Sequence, residues 1–156
     1  MSELTHFAGD GRPHMVDVSA KPVAERVAVA RGFVAIPAAL LARVAARDIA
    51  KGDVIAVAEL AGIMAAKRTA DLIPLCHPLG LDAVAVRIVA AERGLAVEAE
   101  ARATGRTGVE MEAMTAVAVA CLTLYDMLKS SAREINIENI ELVEKRGGKS
   151  GMWRRD

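Results

Sequence analysis

The order of strand-like and helix-like patterns constrains the fold of this chain more than any single motif. Residues 24–36 are rich in Val and Ala and end at Pro37, which predicts a strand. Two helical patterns follow at 38–50 and 54–72, then strands at 81–92 and 95–106, a helix at 109–131 and a strand at 135–145. This order predicts an α+β fold, a ferredoxin-like βαββαβ sandwich with an antiparallel sheet and helices on one face.

The whole chain of 156 residues is predicted to form a single domain. Residues 1–23 lack periodicity, so we expect a flexible arm that is ordered only by packing or by a ligand. The ferredoxin-like core is predicted at 24–146, and a Gly-rich tail at 147–156.

The predicted helix at 109–131 is apolar around most of its girth between Ala113 and Tyr125. Only four residues of the chain are aromatic, so the core is expected to be aliphatic and rich in alanine. One apolar face is enough for a helix to pack on a sheet. The surplus predicts a second buried face and therefore a homo-oligomer.

Charge and cysteine usage exclude several classes of protein. The 20 basic and 20 acidic residues sum to zero, which argues against a nucleic-acid coat or a membrane-surface protein. Because no apolar run is long enough to span a membrane, a membrane partner is not expected. Cys76 and Cys121 show no pairing pattern and are interpreted as reduced thiols of a cytoplasmic protein. The three histidines lack metal-ligand spacing, so no metal site is predicted.

The lysines deserve individual attention, because 14 of the 20 basic residues are Arg. Each has two interpretations, a solvated surface group or a ligand-facing one. The six lysines are Lys21, Lys51, Lys67, Lys129, Lys145 and Lys149. The GGKSG segment is not a P-loop, since Val143 stands where that motif needs glycine. It is interpreted either as a plain tail or as a small phosphate-binding nest.

Acidic residues stand near both ends of the long helix. Glu110 and Glu112 suit a first turn, where carboxylates complement the helix dipole. Asp126 lies one turn before Lys129, which indicates either a structural ion pair or an acid–base pair. Glu112 and Asp126 are separated by about 21 Å along the axis at about 1.5 Å per residue. If both serve one site, they must come from different subunits.

His77 lies between Cys76 and Pro78 in a loop shaped by prolines. A lone histidine is often structural, but a rigid loop also aims a side chain that titrates near neutrality. A Cys76–His77 nucleophilic pair is not expected, because adjacent residues of an extended chain point in opposite directions.

Several unusual segments stand in a fixed order along the chain: MVDVS at 15–19, KGDV at 51–54, AAKRT-DLIPLCHPL at 65–79, TGVEMEAMTA at 107–116, YDM-K at 125–129 and GGKSG at 147–151. With them the chain resembles the cyclic pyranopterin monophosphate synthase family, molybdenum cofactor biosynthesis protein C (MoaC). The resemblance runs almost end to end. One departure is Ala70, which stands where we expect an aromatic residue; no charged group of the motifs is missing.

The resemblance implies an enzyme of the lyase class and its substrate. The family converts 3′,8-cyclo-7,8-dihydroguanosine 5′-triphosphate, made by a radical enzyme, into cyclic pyranopterin monophosphate and pyrophosphate. It implies no redox cofactor and leaves Mg²⁺ on the triphosphate open. It also implies a hexamer, a trimer of dimers with the active site at a dimer interface, and no nucleic-acid partner.

The motifs also imply roles for individual residues, and on this basis we expect five of the six lysines to share one pocket and Lys21 to belong to the arm. Catalytic roles fall on Asp126, Lys129 and Lys51. Substrate binding falls on a larger group, namely Leu75, Cys76, His77, Met111, Glu112, Lys67 and Lys145. The alternatives are a non-enzymatic nucleotide-sensing ferredoxin-like oligomer and a purely structural oligomer.

Overall fold

The structure of the chain is a computed structural model that describes residues 6, 7 and 9–156. It contains five strands and four helices within this range. In chain order they are β1 (Ala24–Ala35), α1 (Ala38–Ala45), α2 (Val54–Ala66), α3 (Thr69–Leu72), β2 (Ala83–Ala91), β3 (Gly94–Gly105), α4 (Glu110–Leu128), β4 (Asn136–Arg146) and β5 (Trp153–Arg154).

The strands form one antiparallel sheet in the order β2-β3-β1-β4-β5. β1 is central and pairs over its whole length with β3, from Ala24 opposite Gly105 to Ala35 opposite Gly94. The first four strands thus have the order of a ferredoxin-like sandwich, and the predicted fold class is confirmed.

Alternation along the strands decides which face of the sheet is buried. Val97, Ala99 and Ala101 on β3 are fully buried, whereas the intervening charged residues lie on the opposite face. α4 packs very closely on the buried face: a Cβ at Gly32 of β1 would approach Val117 Cγ1 to 2.7 Å. The glycine and the small alanines therefore let a long helix lie directly against the central strands.

The opposite face of the sheet carries a network of ion pairs in which many of the arginines take part. Arg31 contacts Glu141 at 2.7 Å, and Arg146 contacts Glu144 at 2.8 Å. This arrangement explains part of the arginine excess, since a planar guanidinium pairs well with neighbouring carboxylates on a sheet. The lysines are distributed elsewhere in the fold.

The second flank of α4 is covered within the same chain by α2. A Cβ at Gly62 of α2 would lie 2.9 Å from Ala116 O and 3.3 Å from Ala120 Cβ, so the two helices are in close contact. The apolar girth of α4 is thus largely explained without a second subunit. The oligomer predicted from α4 alone loses this support, because the covering face comes from α2.

Apolar side chains nevertheless remain exposed on the outer surface of the two helices. Leu122 of α4 is 58% exposed, and Leu60 and Met64 of α2 are 58% and 53% exposed. Single exposed apolar residues are common, but a group on adjacent helices is typical of an interaction surface.

Helix boundaries differ from the prediction at two places. α1 ends at Ala45 because Arg47 has a positive φ of 56°, so the predicted helix to residue 50 is too long. The second helical pattern is split after Ala66, where the Thr69 hydroxyl donates to Ala66 O at 2.9 Å. Such a side-chain bond competes with the regular helix ladder and favours a new turn.

The segment at 147–156 is more ordered than a plain tail. β5 pairs with the edge of β4, with Lys145 opposite Trp153, and closes a hairpin that the sequence pattern did not predict. The domain division into arm, core and tail otherwise stays a prediction.

The helix α4 is long and apolar enough to cross a membrane by length and composition alone. In this fold, however, 56% of its apolar stretch is buried, as in the core helix of a globular domain.

Candidate active site

The predicted site residues fall into two groups at opposite ends of α4. One group gathers around Glu110 and Glu112 at the amino end of the helix, and the other around Asp126 at the carboxyl end. Since the helix has 19 residues, the two groups do not meet within one chain.

At the amino end, the loop after α3 brings Cys76 against Glu112. Cys76 Sγ donates to Glu112 Oε1 at 3.7 Å, while Glu112 is only 3% exposed. Its other oxygen, Oε2, is buried and has no hydrogen-bond partner among the described residues. Burial raises the pKa of Glu112 above its ordinary value and raises the pKa of Cys76 to about 11. The thiol is therefore protonated at neutral pH and unsuited to be a nucleophile.

His77 connects this loop to the N-terminal arm. Its Nε2 lies 2.6 Å from Val16 O, so the arm packs against the site. Leu75, Cys76 and Met111 line a cavity of about 470 Å³ beside it. The largely apolar walls suit the flat ring of a small molecule.

A larger cavity of about 940 Å³ lies beside the same loop. Its wall is strongly cationic, with lining residues that include Lys21, Arg26, Arg106, Lys145 and Lys149. Arg146 also lines it, but its guanidinium group pairs with Glu144 and Glu100. Glu110 is the single carboxylate in this wall, and its Oε1 pairs with Lys145 Nζ at 3.1 Å. A chain of zero net charge thus carries a local excess of positive charge, which favours an anionic ligand.

At the carboxyl end, Asp126, Lys129 and Lys51 form a compact group. Asp126 Oδ1 pairs with Lys129 Nζ at 2.7 Å, and Lys51 Nζ donates to Asp126 O at 2.9 Å. The hydrogen bond and charge of Lys129 lower the pKa of Asp126, and the same contact raises the pKa of Lys129. Both groups are exposed and stay ionised at neutral pH, so a substrate has access to a charged acid–base pair.

The lysines are divided differently from the prediction. Within one chain, Lys51 and Lys129 lie at the carboxyl end of α4, and Lys67 at the C-terminus of α2. Lys21, which we assigned to the arm alone, lines the large cavity together with Lys145. One chain therefore does not bring five lysines to one pocket.

Two arginines of the cavity wall were not predicted from the sequence. Arg26 donates to the carbonyl oxygens of residues 105 and 106, and Arg106 donates to Lys21 O at 3.1 Å. Both sit at strand ends in unremarkable local sequence, so no pattern marks them. Only the pairing of β1 with β3 places them beside the cavity.

The described residues contain no group of three or more His, Cys, Asp or Glu side chains arranged to hold a metal ion. What the site offers is a cationic cavity, an apolar ring pocket and a charged carboxylate–lysine pair. Together with the ferredoxin-like fold, these define a small-molecule enzyme that acts on an anionic, ring-containing substrate.

Comparison with known proteins identifies the family. A sequence model of the MoaC family matches residues 15–148, and the chain belongs to this family. The chain is 60% identical over 155 residues to a cyclic pyranopterin monophosphate synthase of Cereibacter sphaeroides (strain KD131), covering 98% of both chains. It is 57% identical over 158 residues to the synthase of Thermomicrobium roseum, covering 100% of this chain and 95% of that protein.

A third relative is similar at a lower sequence identity. The cyclic pyranopterin monophosphate synthase of Novosphingobium aromaticivorans is 53% identical over 154 residues, covering 99% of this chain and 98% of that protein. The family expected from the motifs is confirmed, as is the expectation that the chain is an enzyme. The roles of individual residues stay predictions.

Proposed function

We propose that this chain converts 3′,8-cyclo-7,8-dihydroguanosine 5′-triphosphate into cyclic pyranopterin monophosphate and pyrophosphate, as a lyase of molybdenum cofactor biosynthesis. Its full-length similarity to three named cyclic pyranopterin monophosphate synthases supports the reaction. A non-enzymatic nucleotide sensor is not favoured, because the family is an enzyme family. The substrate comes from a radical enzyme upstream, and the reaction takes place in the cytoplasm.

The proposed active site combines the amino end of α4 from one subunit with the carboxyl end from another. The observation that carries this proposal is the separation of the cationic cavity from the Asp126–Lys129 pair within one chain. A triphosphate brings about four negative charges, which the cavity wall would balance. Exposed Leu122, Leu60 and Met64 offer an apolar surface for a partner copy. The assembly is a hexamer, a trimer of dimers with sites at the dimer interface.

Each group then has a chemical role. Asp126 and Lys129 transfer protons while the ring opens and is rebuilt, with Lys51 as a second proton carrier. Lys67, Lys145 and His77 stabilise phosphate charge. Leu75, Cys76, Met111 and Glu112 hold the purine-derived ring. No resident cofactor takes part, and any Mg²⁺ arrives with the triphosphate as part of the substrate.

The direct test is incubation of the purified chain with the cyclised GTP derivative. We expect pyrophosphate and the pterin product in equal amounts. A ligand-dependent rise in Tm without product would instead establish the sensing alternative. Analytical ultracentrifugation tests the assembly, and a monodisperse monomer that is fully active would contradict the shared site.

A further inference from the structure

The link between α1 and α2 holds Lys51 on a tight turn. Residues 46–53 form this link, and Lys51 is exposed within it. Gly52 N donates to Ile49 O at 2.9 Å, which closes a turn of four residues around Lys51. From this turn Lys51 Nζ extends to the carboxyl end of α4 and donates to Asp126 O at 2.9 Å. The position of the turn therefore determines where the ammonium group lies.

The turn is anchored in the core only at its two ends. Ile49 before it and Val54 after it are buried in the apolar core, whereas residues 50–53 between them are exposed. A cavity of about 420 Å³ lies beside the turn and is lined by Ile49, Gly52 and Asp53. Because the core does not fill this space, core packing alone does not fix the exposed residues of the turn.

Asp53 supplies a contact that fixes them. Its Oδ1 accepts a hydrogen bond from Ala56 N at 3.0 Å, and its backbone oxygen accepts from Val57 N at 3.1 Å. These bonds cap the first turn of α2. Within the described part of the chain, the other three helices have no side-chain bond of this kind at the amino end. The helix start that its own side chain fixes is thus the one that follows Lys51.

Gly52 gives the turn its backbone shape. Its φ is 94°, a value that other residues rarely adopt. A Cβ at Gly52 would meet no other atom within 4 Å, so open space surrounds this position. Glycine is therefore required here by the backbone angle and not by a close contact.

We propose that Asp53 is a positioning residue for Lys51: by capping α2, it fixes the turn that holds the ammonium group of Lys51 against Asp126 O. This inference rests on the proposed function, in which Lys51 is a proton carrier. Asp53 acts through Lys51 and not on the substrate, since its Oδ1 is bonded to Ala56 N. Loss of the cap would keep the charge of Lys51 but displace it from the proton-transferring pair, so chemistry should suffer more than substrate binding.

Steady-state kinetics of pyrophosphate release by the full chain, well below the Tm of every variant, tests the role of Asp53. Asp53→Ala should lower kcat about tenfold and change KM less than about twofold, because a misplaced reacting group slows the chemical step. Asp53→Ser keeps a capping oxygen, so its kcat should lie within about twofold of the wild type. A tenfold loss of kcat in Asp53→Ser as well, or a rise in KM without loss of kcat in Asp53→Ala, would overturn the proposal.

Asp48→Ala is the matched control for the lost carboxylate. Asp48 lies in the same link, its side chain is 79% exposed, and it pairs only with Arg43, at 3.6 Å. Such an exposed pair contributes little, so kcat and KM should stay within about twofold of the wild type. Equal losses of kcat in Asp48→Ala and Asp53→Ala would overturn the proposal, since any charge removed from the link would then have the same effect.

Gly52→Ala tests the turn without changing a charge or creating a clash. Alanine disfavours the positive φ, so the turn should change shape and kcat should fall about tenfold. Gly11→Ala is the matched control, because Gly11 also has a positive φ, of 81°, and open space around its Cβ. We expect wild-type kcat for Gly11→Ala. Wild-type kcat in Gly52→Ala would show that the turn does not position Lys51.

Crystal structures of the Asp53 variants give a readout that does not depend on activity. Lys51 Nζ should stay within hydrogen-bond distance of Asp126 O in Asp53→Ser and lose this contact in Asp53→Ala. A contact that persists in Asp53→Ala, or one that is lost without a fall in kcat, would overturn the positioning role and leave the function standing. Absence of product in the wild type would overturn the proposed function, whatever the structures of the variants show.

Discussion

The two ends of α4 are chemically opposite. At the carboxyl end, Asp126 and Lys129 have side chains 65% and 55% exposed, and their contact keeps both ionised. At the amino end, Glu112 is 3% exposed, and burial favours its neutral form. The pair that we propose to transfer protons therefore lies in water, whereas the carboxyl group that we propose to hold the ring is withdrawn from it. In the proposed function, chemistry accordingly falls to one end and recognition to the other.

The largest expected effect concerns the carboxyl end. Lys129→Arg keeps the positive charge beside Asp126 but replaces an ammonium group that can give up a proton with a guanidinium group that cannot, so kcat should fall by about 100-fold or more. Rates of pyrophosphate release report this, with Arg133→Lys as the conservative control on an exposed side chain. Near wild-type turnover in Lys129→Arg would remove the acid–base role from this end.

A smaller effect is expected at the amino end, on binding more than on rate. Glu112→Gln should raise KM about tenfold by changing a buried contact to the ring, with kcat less affected. A fall in kcat as large as that of Lys129→Arg would show that the two ends do not divide the work as proposed.

The same variant has a predictable effect on stability. Because the folded pKa of Glu112 lies above its ordinary 4.5, the wild type loses stability as pH rises from that value through the folded pKa. Glu112→Gln cannot ionise at this position, so the Tm of the variant relative to that of the wild type should rise as the pH increases across that window. Tm curves for the two proteins that run parallel from pH 4 to 8 would contradict the buried, desolvated carboxyl.

The smallest effect is expected from Glu110, the one carboxylate in the cationic wall. Glu110→Gln removes the charge that pairs with Lys145 at 3.1 Å, so pyrophosphate affinity should rise about threefold. Glu134→Gln, an exposed carboxylate outside the cavity lining, should leave the affinity unchanged. Weaker binding in Glu110→Gln would mean that the carboxylate positions Lys145 instead of competing with the ligand.

Much of the fold could be predicted from the sequence, because the spacing of apolar residues along the chain indicates which faces of the strands and helices are buried. The alternation on β3 and the order of the elements predicted the sheet correctly. The two-residue strand β5 is too short to show a period, and the α2–α4 contact depends on Gly62, which no pattern assigns to α4. Long-range packing, not local propensity, decides such features.

Site residues that lie close together in the sequence were predictable. Site residues that only the fold brings together were not. Asp126 and Lys129 are one turn apart, and their pairing was expected from spacing alone. Arg26 and Arg106 are far apart in sequence and meet only through strand pairing. The burial of Glu112 was also missed, because a first-turn acid usually faces solvent.

Mixing two inactive variants tests most directly whether opposite ends of α4 from different subunits form one site. One chain carries Lys129→Ala, the other His77→Ala with Lys145→Ala, and the two are co-expressed with different tags to isolate mixed oligomers. In mixed hexamers whose three dimers pair the two chains at random, about a quarter of the sites receive intact ends from both subunits, so about a quarter of wild-type activity should return. Activity no greater than the sum of the two separate variants would contradict a site shared between subunits.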